Sequence, residues 1–279
     1  MAGILYLVGT PIGNLGDISE RAIETLKNAD FIAAEDTRVT LKLLNHFNIK
    51  KPMISYFEHN KFKRGEEIAE RIESGETCAL VTDAGMPAIS DPGEDLVALC
   101  AARGIPIAVV PGPCAAVSAL ALSGLPTGRF AFEGFLDANK KSRRDRLKAV
   151  CKDTRTLIFY EAPHKLRATL KDMLDILGDR RISIVREMTK IHEEVIRTTL
   201  SGAIEHFSIN EPRGEFVLVV EGADENAANN DAESGTDLSG EELVKMYMDM
   251  GMTRPEAVKR AAKETGISRS ELYKKTLDV

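Results

Sequence analysis

The chain has 279 residues, 43% of them hydrophobic and 29% charged, with a net charge of −6; this suits two domains of about 150 residues with cores that need no staples. Cys78, Cys100, Cys114 and Cys151 form no CxxC pair, which excludes a disulfide framework or a zinc-thiolate knuckle, and no apolar run approaches the roughly 18 residues of a membrane span. Residues 1–6 hold no basic stretch, so no signal peptide is expected and a reducing, cytoplasmic setting is the expectation.

Residues 4–8 read as a short strand ended by the loop GTPIGNLGD. Ile23 and Leu26 stand at helical spacing within 19–28, with Asp17 or Ser19 as the cap. A buried strand over 31–34 precedes a helix over 39–47 carrying Leu41, Leu44 and Phe47. Ile68 and Ile72 mark another helix, 78–81 a strand, 96–102 a helix and 105–110 a strand stopped by PGP. Strands alternating with helices predict a mainly parallel sheet covered by helices, with ligands at the carboxyl ends of its strands.

From Arg129 the texture changes. Residues 130–135, 156–160, 182–185, 195–199 and 216–220 read as strands, with one helix over 165–177. This suits a second α/β domain with some antiparallel pairing. Residues 223–238 hold five acids and no Lys or Arg, the composition of a flexible linker. Beyond it, 243–250, 254–265 and 269–277 predict three short helices, the last pair joined through Ser268 as a cap in a helix-turn-helix-like arrangement. The expected domains are therefore 1–120, 121–222, the acidic linker 223–238 and a small helical appendage over 239–279.

The net charge looks unfavourable for a nucleic-acid partner until it is located. The linker accounts for −5 and the tail, with eight basic and seven acidic side chains, for +1, which leaves −2 for residues 1–222. Within that nearly neutral body, NKKSRRDRLK over 139–148 holds six basic side chains against one acid. It is either a solvated helix face or a phosphate-binding patch.

Four loops follow apolar strands and are rich in Gly, Pro and short polar residues. The first has glycines at 9, 13 and 16 and no following lysine, so it is neither GxGxxG nor a phosphate loop. The second holds Glu35, Asp36 and Arg38, either a functional cluster or a helix cap formed by Asp36 or Thr37. The third, DAGMPAISDPG, is too long and glycine-rich for a simple turn. The fourth, PGPCA, opens a helix with small residues that let a ligand approach the backbone. No histidine base belongs to Cys114 by sequence, which argues against a catalytic thiol.

In this order the segments LYLVGTPIGNLGDIS, ADFIAAEDTR, LVTDAGMPAISDPG, VVPGPCAAVSAL, FEGFL, IFYEAPHKL and REMTKIHEEVIRTTL resemble the tetrapyrrole-methylase superfamily of S-adenosylmethionine-dependent methyltransferases. More closely they resemble its ribosomal RNA small-subunit methyltransferase I branch, which methylates a cytidine ribose 2′-hydroxyl in 16S rRNA. The resemblance implies two α/β domains with the methyl donor in a cleft between them, and a homodimer.

Position by position, it implies donor contacts at Ala84, Gly85, Met86 and Ile89, at Cys114 and Ala115, and at Tyr160 or Glu161. It further implies Arg197 and Thr198 near the adenine or ribose, and Ile12 at the methionine end. Met86 stands where relatives use Asp, and Cys114 where many use Ser or Thr, so backbone contacts are expected at both. A ribose hydroxyl needs its proton removed. Tetrapyrrole relatives place an aspartate at the loop matching Glu35 and Asp36, which makes one of these the first candidate base, with Asp91 the second. Arg38 would steady phosphate or the base, and Glu187 and Lys190 would border the cleft.

For RNA, the resemblance favours Lys140, Lys141, Arg143, Arg144, Arg146 and Lys148 as phosphate contacts, with His59, Lys61, Phe62 and Arg64 as a further surface. His164 and His192 are not at metal-ligand spacing, and no metal is expected. Two alternatives remain: a methyltransferase acting on a tetrapyrrole precursor, and a non-enzymatic nucleic-acid-binding module. Donor binding separates the second from the main expectation, and substrate transfer the first.

Overall fold

The computed structural model describes residues 3–224, 239–265 and 267–276; residues 225–238 of the expected linker 223–238 and the expected helix end at 277 lie outside the described residues. The chain divides into two units, one running to Ala223 and the other from Asp224.

In the first unit, strands β1 (Leu5–Val8), β2 (Phe31–Ala34), β3 (Met53–Ser55), β4 (Cys78–Val81) and β5 (Ile107–Val110) form a sheet in the order β3-β2-β4-β1-β5. Every pairing in it is parallel. Helices α1 (Glu20–Asn28), α2 (Thr37–His46), α3 (Lys61–Glu73) and α4 (Glu94–Ala102) connect the strands. Strand periodicity sorts the side chains: Leu5, Phe31 and Leu80 pack on one face with Ile68, Ile72 and Leu96, while Val8, Ile32 and Val81 pack on the other with Leu26 and Leu44. This is why β2 and β4 are apolar throughout rather than alternating.

The second sheet contains β6 (Phe130–Phe135), β7 (Thr156–Glu161), β8 (Arg181–Arg186), β9 (Glu194–Thr199) and β10 (Phe216–Val220) in the order β6-β7-β10-β8-β9. Only β6 and β7 run parallel; the other pairings are antiparallel. Helices α6 (Lys140–Val150), α7 (Pro163–Leu177) and α8 (Leu200–Ile209) cover one face. The opposite face is taken by α5 (Ala115–Ser123), whose Ala116, Ala119 and Leu120 pack against Ile158, Val185, Val217 and Val219. Thus α5 follows the last strand of the first sheet and docks on the second, and residue 120 lies inside it. Sequence pattern had not resolved β3, which is three residues long, nor α8, which starts at Leu200 directly after β9 with no loop between them.

The second unit comprises α9 (Gly240–Asp249), α10 (Arg254–Thr265) and α11 (Arg269–Lys275). Ser239 and Glu242 form a capping box at α9, and the Ser268 hydroxyl accepts from the Glu271 amide at α11. Leu243, Val244, Tyr247, Val258, Ala261 and Leu272 make its own small core. Among the described residues, no helix is long and apolar enough to cross a membrane.

At the carboxyl edge of the first sheet the loops after β1 and β5 nearly touch. A Cβ on Gly9 would stand 2.6 Å from the Cα of Gly112 and 2.7 Å from the sulfur of Met86, and one on Gly112 would stand 2.8 Å from the Cα of Gly9. Because backbone meets backbone, no rotamer change relieves the overlap. Gly112→Ala is expected to lose roughly 1–3 kcal/mol of stability, read as a lower urea midpoint; an unchanged midpoint would show that the loops separate freely.

Candidate active site

The loops meet at a cleft of 340 Å³, within the usual range of small-molecule sites, roughly 300–1,000 Å³. Its first wall is made by Ile12 after β1 and by Ala84, Gly85, Met86 and Ile89 after β4. An isolated antiparallel bridge holds these two loops together: the Thr10 amide donates to the Gly85 carbonyl at 2.9 Å, and the Gly85 amide to the Thr10 carbonyl at 3.1 Å. Gly85 has φ +89°, where an L side chain is strained, and a Cβ there would lie 3.4 Å from Ile12 Cγ2 and 3.5 Å from the Pro113 carbonyl. The loop continues through Ala88 and Ser90, both at positive φ (67° and 63°) without being glycine. Such strain costs of order 1–3 kcal/mol per residue and gathers at functional sites.

Cys114 and Ala115, at the start of α5, form the floor. No side chain of the helix caps this end; instead the Ala116 amide donates to the Tyr160 hydroxyl at 3.1 Å. That tyrosine packs edge-on against Phe132 and Phe135, with ring centroids 4.9 and 5.4 Å away, and burial pushes its hydroxyl up to about 12. The far wall comes from the second sheet, with Phe135, Val185, Met188 and Val217. Glu161 also borders the cleft, yet its fully buried carboxylate is spent elsewhere, accepting from Thr169 Oγ1 at 2.5 Å and from its neighbour's amide at 2.8 Å, and pairing with Lys165 at 3.1 Å. Only its backbone is left for a ligand.

Nine of the eleven residues named for the donor from the sequence line this one cleft. Arg197 and Thr198 do not. Both lie on β9, an edge strand one position beyond β8. Arg197 donates to the Leu122 carbonyl at the end of α5, and Thr198 sits against Gly202. The motif match placed them by linear position, whereas sheet order carries them outward. Val185, Met188, Phe135 and Val217 were missed, although the segments containing them had been singled out. Glu187 and Lys190 lie behind the wall: Lys190 pairs with Glu187 at 2.9 Å and with Glu215 at 3.0 Å, and Glu215 borders the cleft.

Four carboxylates gather at the ends of β2 and β4, and their environments differ. Asp36 caps α2 through the Arg38 amide (2.8 Å) and pairs with the Arg38 side chain (2.6 Å). Hydrogen bonds from that side chain and amide hold it down at about 2, which makes it a poor proton acceptor, and it does not border the cleft. The capping alternative is the one realised. Glu35 accepts from Thr82 Oγ1 at 2.6 Å. Burial raises Asp83, whose Oδ1 accepts the Asp36 amide at 3.1 Å. Asp91 borders the cleft, and burial, reinforced by the charge on Glu35, raises it to about 6 against the pull of a Thr82 hydrogen bond.

The basic run forms α6, capped by Asn139. Arg143 is not available to phosphate as expected: with Leu147 and Val150 it makes the buried i, i+4, i+7 face, its side chain is 6% exposed, and it pairs with Asp172 at 2.6 Å. Arg144 shares Asp172 (2.6 Å) and Asp175 (3.1 Å), and Arg146 pairs with the buried Glu133. Lys140, Lys141 and Lys148 remain on the exposed face. Lys61 is likewise held by Glu58 and Asp95.

Residues 4–204 match the family model described as Tetrapyrrole (Corrin/Porphyrin) Methylases. The chain is 46% identical over 278 residues to "Ribosomal RNA small subunit methyltransferase I" of Synechocystis sp., covering 99% of this chain and 98% of that protein. It is 50% identical over 273 residues to the protein of that name from Halalkalibacterium halodurans, covering 97% and 93%. Among solved structures, a uroporphyrin-III-C-methyltransferase from Thermus thermophilus superposes with a TM-score of 0.56 at 19% identity, covering 78% of this chain and 94% of that one. A diphthine synthase superposes with a TM-score of 0.62 at 13% identity, covering 81% and 93%. At these identities the structures establish the fold alone.

The raised Asp91 carboxyl has a consequence for stability. The folded protein keeps this proton up to about pH 6, while the unfolded chain releases it near 4; folding is therefore penalised as pH rises through that window. Asp91→Asn, which resembles the protonated acid, is expected to raise the denaturation midpoint at pH 8 and to show little gain near pH 4. Equal effects at both pH values would show that Asp91 is not perturbed.

Proposed function

We propose, for a chain that belongs to the ribosomal RNA small subunit methyltransferase I family within the tetrapyrrole methylases, that it transfers a methyl group from S-adenosylmethionine to the ribose 2′-hydroxyl of a cytidine in 16S rRNA of the small ribosomal subunit. The observation that carries this is the cleft itself. It is walled by apolar side chains and backbone, and has one carboxylate of raised basicity on its border.

The residues present suit the donor. Gly85 leaves space that a Cβ would fill, Ala84 and Ala115 admit close approach to backbone, and Ile12, Ile89, Val185 and Val217 exclude water. When bound, S-adenosylmethionine supplies an electrophilic methyl group on a sulfonium. The protein then has to bring the acceptor oxygen into line and take its proton. An ordinary aspartate near 4 is a weak base for a hydroxyl. Asp91, at about 6, is ionised at neutral pH and more basic, so we assign it the proton in place of Asp36 and Glu35.

Lys140, Lys141 and Lys148 on α6 supply phosphate contacts in this proposal, with Arg144 and Arg146 shared between phosphate and their acidic partners. Residues 1–120 and 121–222 remain the two proposed domains flanking the cleft, with α5 crossing their boundary to pack on the second sheet. It also includes a homodimer and a cytoplasmic location. The dimer is supported by exposed Val109 on the edge strand β5 and by exposed Val117 and Leu122 on α5.

The test offers methyl-labelled donor to 30S subunits, to free 16S rRNA and to a precorrin-type substrate, followed by nucleoside analysis. Label in 2′-O-methylcytidine is expected, and Asp91→Asn is expected to slow turnover by about 10²–10⁴ while still binding donor in calorimetry. Label on a base atom or on the tetrapyrrole would overturn the proposal.

A further inference from the structure

A second cavity, of 560 Å³, opens beside the donor cleft, and the transfer described above gives it no role. Two residues, Ser90 and Asp91, line both cavities. Whatever occupies the second therefore reaches the donor cleft at Asp91. Its lining combines two features: the carboxylates Glu35, Glu58 and Glu94, and the rings of Phe57 and His59. Phe57 is 37% exposed, and its ring meets His59 edge-on with centroids 6.2 Å apart.

We propose that this cavity receives the base of the acceptor nucleotide and favours a base carrying an exocyclic amine; this rests on the ribose-transfer proposal above. Negative lining repels phosphate but accepts N–H donors, so it admits a base edge and leaves the backbone outside. An exposed aromatic ring is a stacking surface for an unpaired base. Glu58 is paired with Lys61 at 2.7 Å. Glu35 spends Oε2 on Thr82 Oγ1 and on the Asp83 amide, which leaves Oε1 to accept from a base. Carboxylates accept the N4 amine of cytosine, whereas uracil presents a carbonyl oxygen at the same place, which a carboxylate repels. With the base held at Glu35 and Phe57, the attached ribose spans toward Asp91, where the hydroxyl proton is taken.

The test compares methylation of 30S subunits carrying the natural cytidine with subunits reconstituted on 16S rRNA that has uridine at the methylated nucleotide, using wild type, Glu35→Gln and Phe57→Ala. Glutamine keeps a carbonyl for Thr82 and Asp83, and its amide can donate to uracil. Glu35→Gln is therefore expected to lower the cytidine-over-uridine preference in kcat/KM by roughly tenfold or more. Phe57→Ala, at a partly exposed side chain, is expected to raise KM for the subunit by about tenfold with calorimetric donor affinity unchanged. A wild-type enzyme indifferent to the base, or two folded variants with wild-type preference and KM, would overturn the assignment. Absence of ribose methylation by the wild type would instead remove the function on which it rests, and the wild-type reaction alone shows it.

Discussion

Two stretches of backbone, at Gly9 and Gly112, pass too closely for either residue to carry a side chain. The remainder of the site is arranged around that approach. It fixes the loop after β1 against the loop after β5, and the Thr10–Gly85 bridge then ties in the loop after β4. Parallel sheets place such loops at one edge, where three of them meet; the two glycines let them meet in contact. Since α5 starts directly after the Gly112 loop and docks on the second sheet, the same approach positions the far wall of the cleft.

The acidic loops show how one local environment assigns different work to similar groups. Asp36 is strongly hydrogen-bonded and partnered by Arg38, so it is low and structural. Asp91 is half-buried near Glu35, so it is raised. The left-handed Ala88 and Ser90 precede it in the same loop, and Gly93, at φ +147°, lies so near Ala88 that a Cβ there would stand 3.0 Å from the Ala88 Cβ. Backbone strain thus gathers in the segment whose Ser90 and Asp91 line both cavities.

Much of this architecture was legible in the sequence because it depends on local signals. Short runs rich in apolar residues marked every strand but β3, and the loops they feed contained most of the cleft. What escaped depended on long-range order. Arg197 and Thr198 lie in a segment whose motif matched, but the position of β9 at the sheet edge follows from pairing order, which no window of residues contains. Arg143 was read with its charged neighbours as surface; its spacing to Leu147 and Val150 was the overlooked sign of a buried face, and Asp172 on α7 together with the Asp137 and Ala138 carbonyls explains how a guanidinium is accommodated there. The contrast between Asp36 and Asp91 was hidden for a related reason: burial and neighbouring charge, not loop position, set their basicity.

Single-turnover methyl transfer to 30S subunits, measured from pH 4.5 to 8.5 in wild type and Asp91→Asn, tests the central assignment most directly. The account predicts a wild-type rate that rises about tenfold per pH unit below a break near 6 and is flat above it, with that acid limb absent from the slower variant. An acid limb retained unchanged in Asp91→Asn would contradict it, and would place the proton on another group.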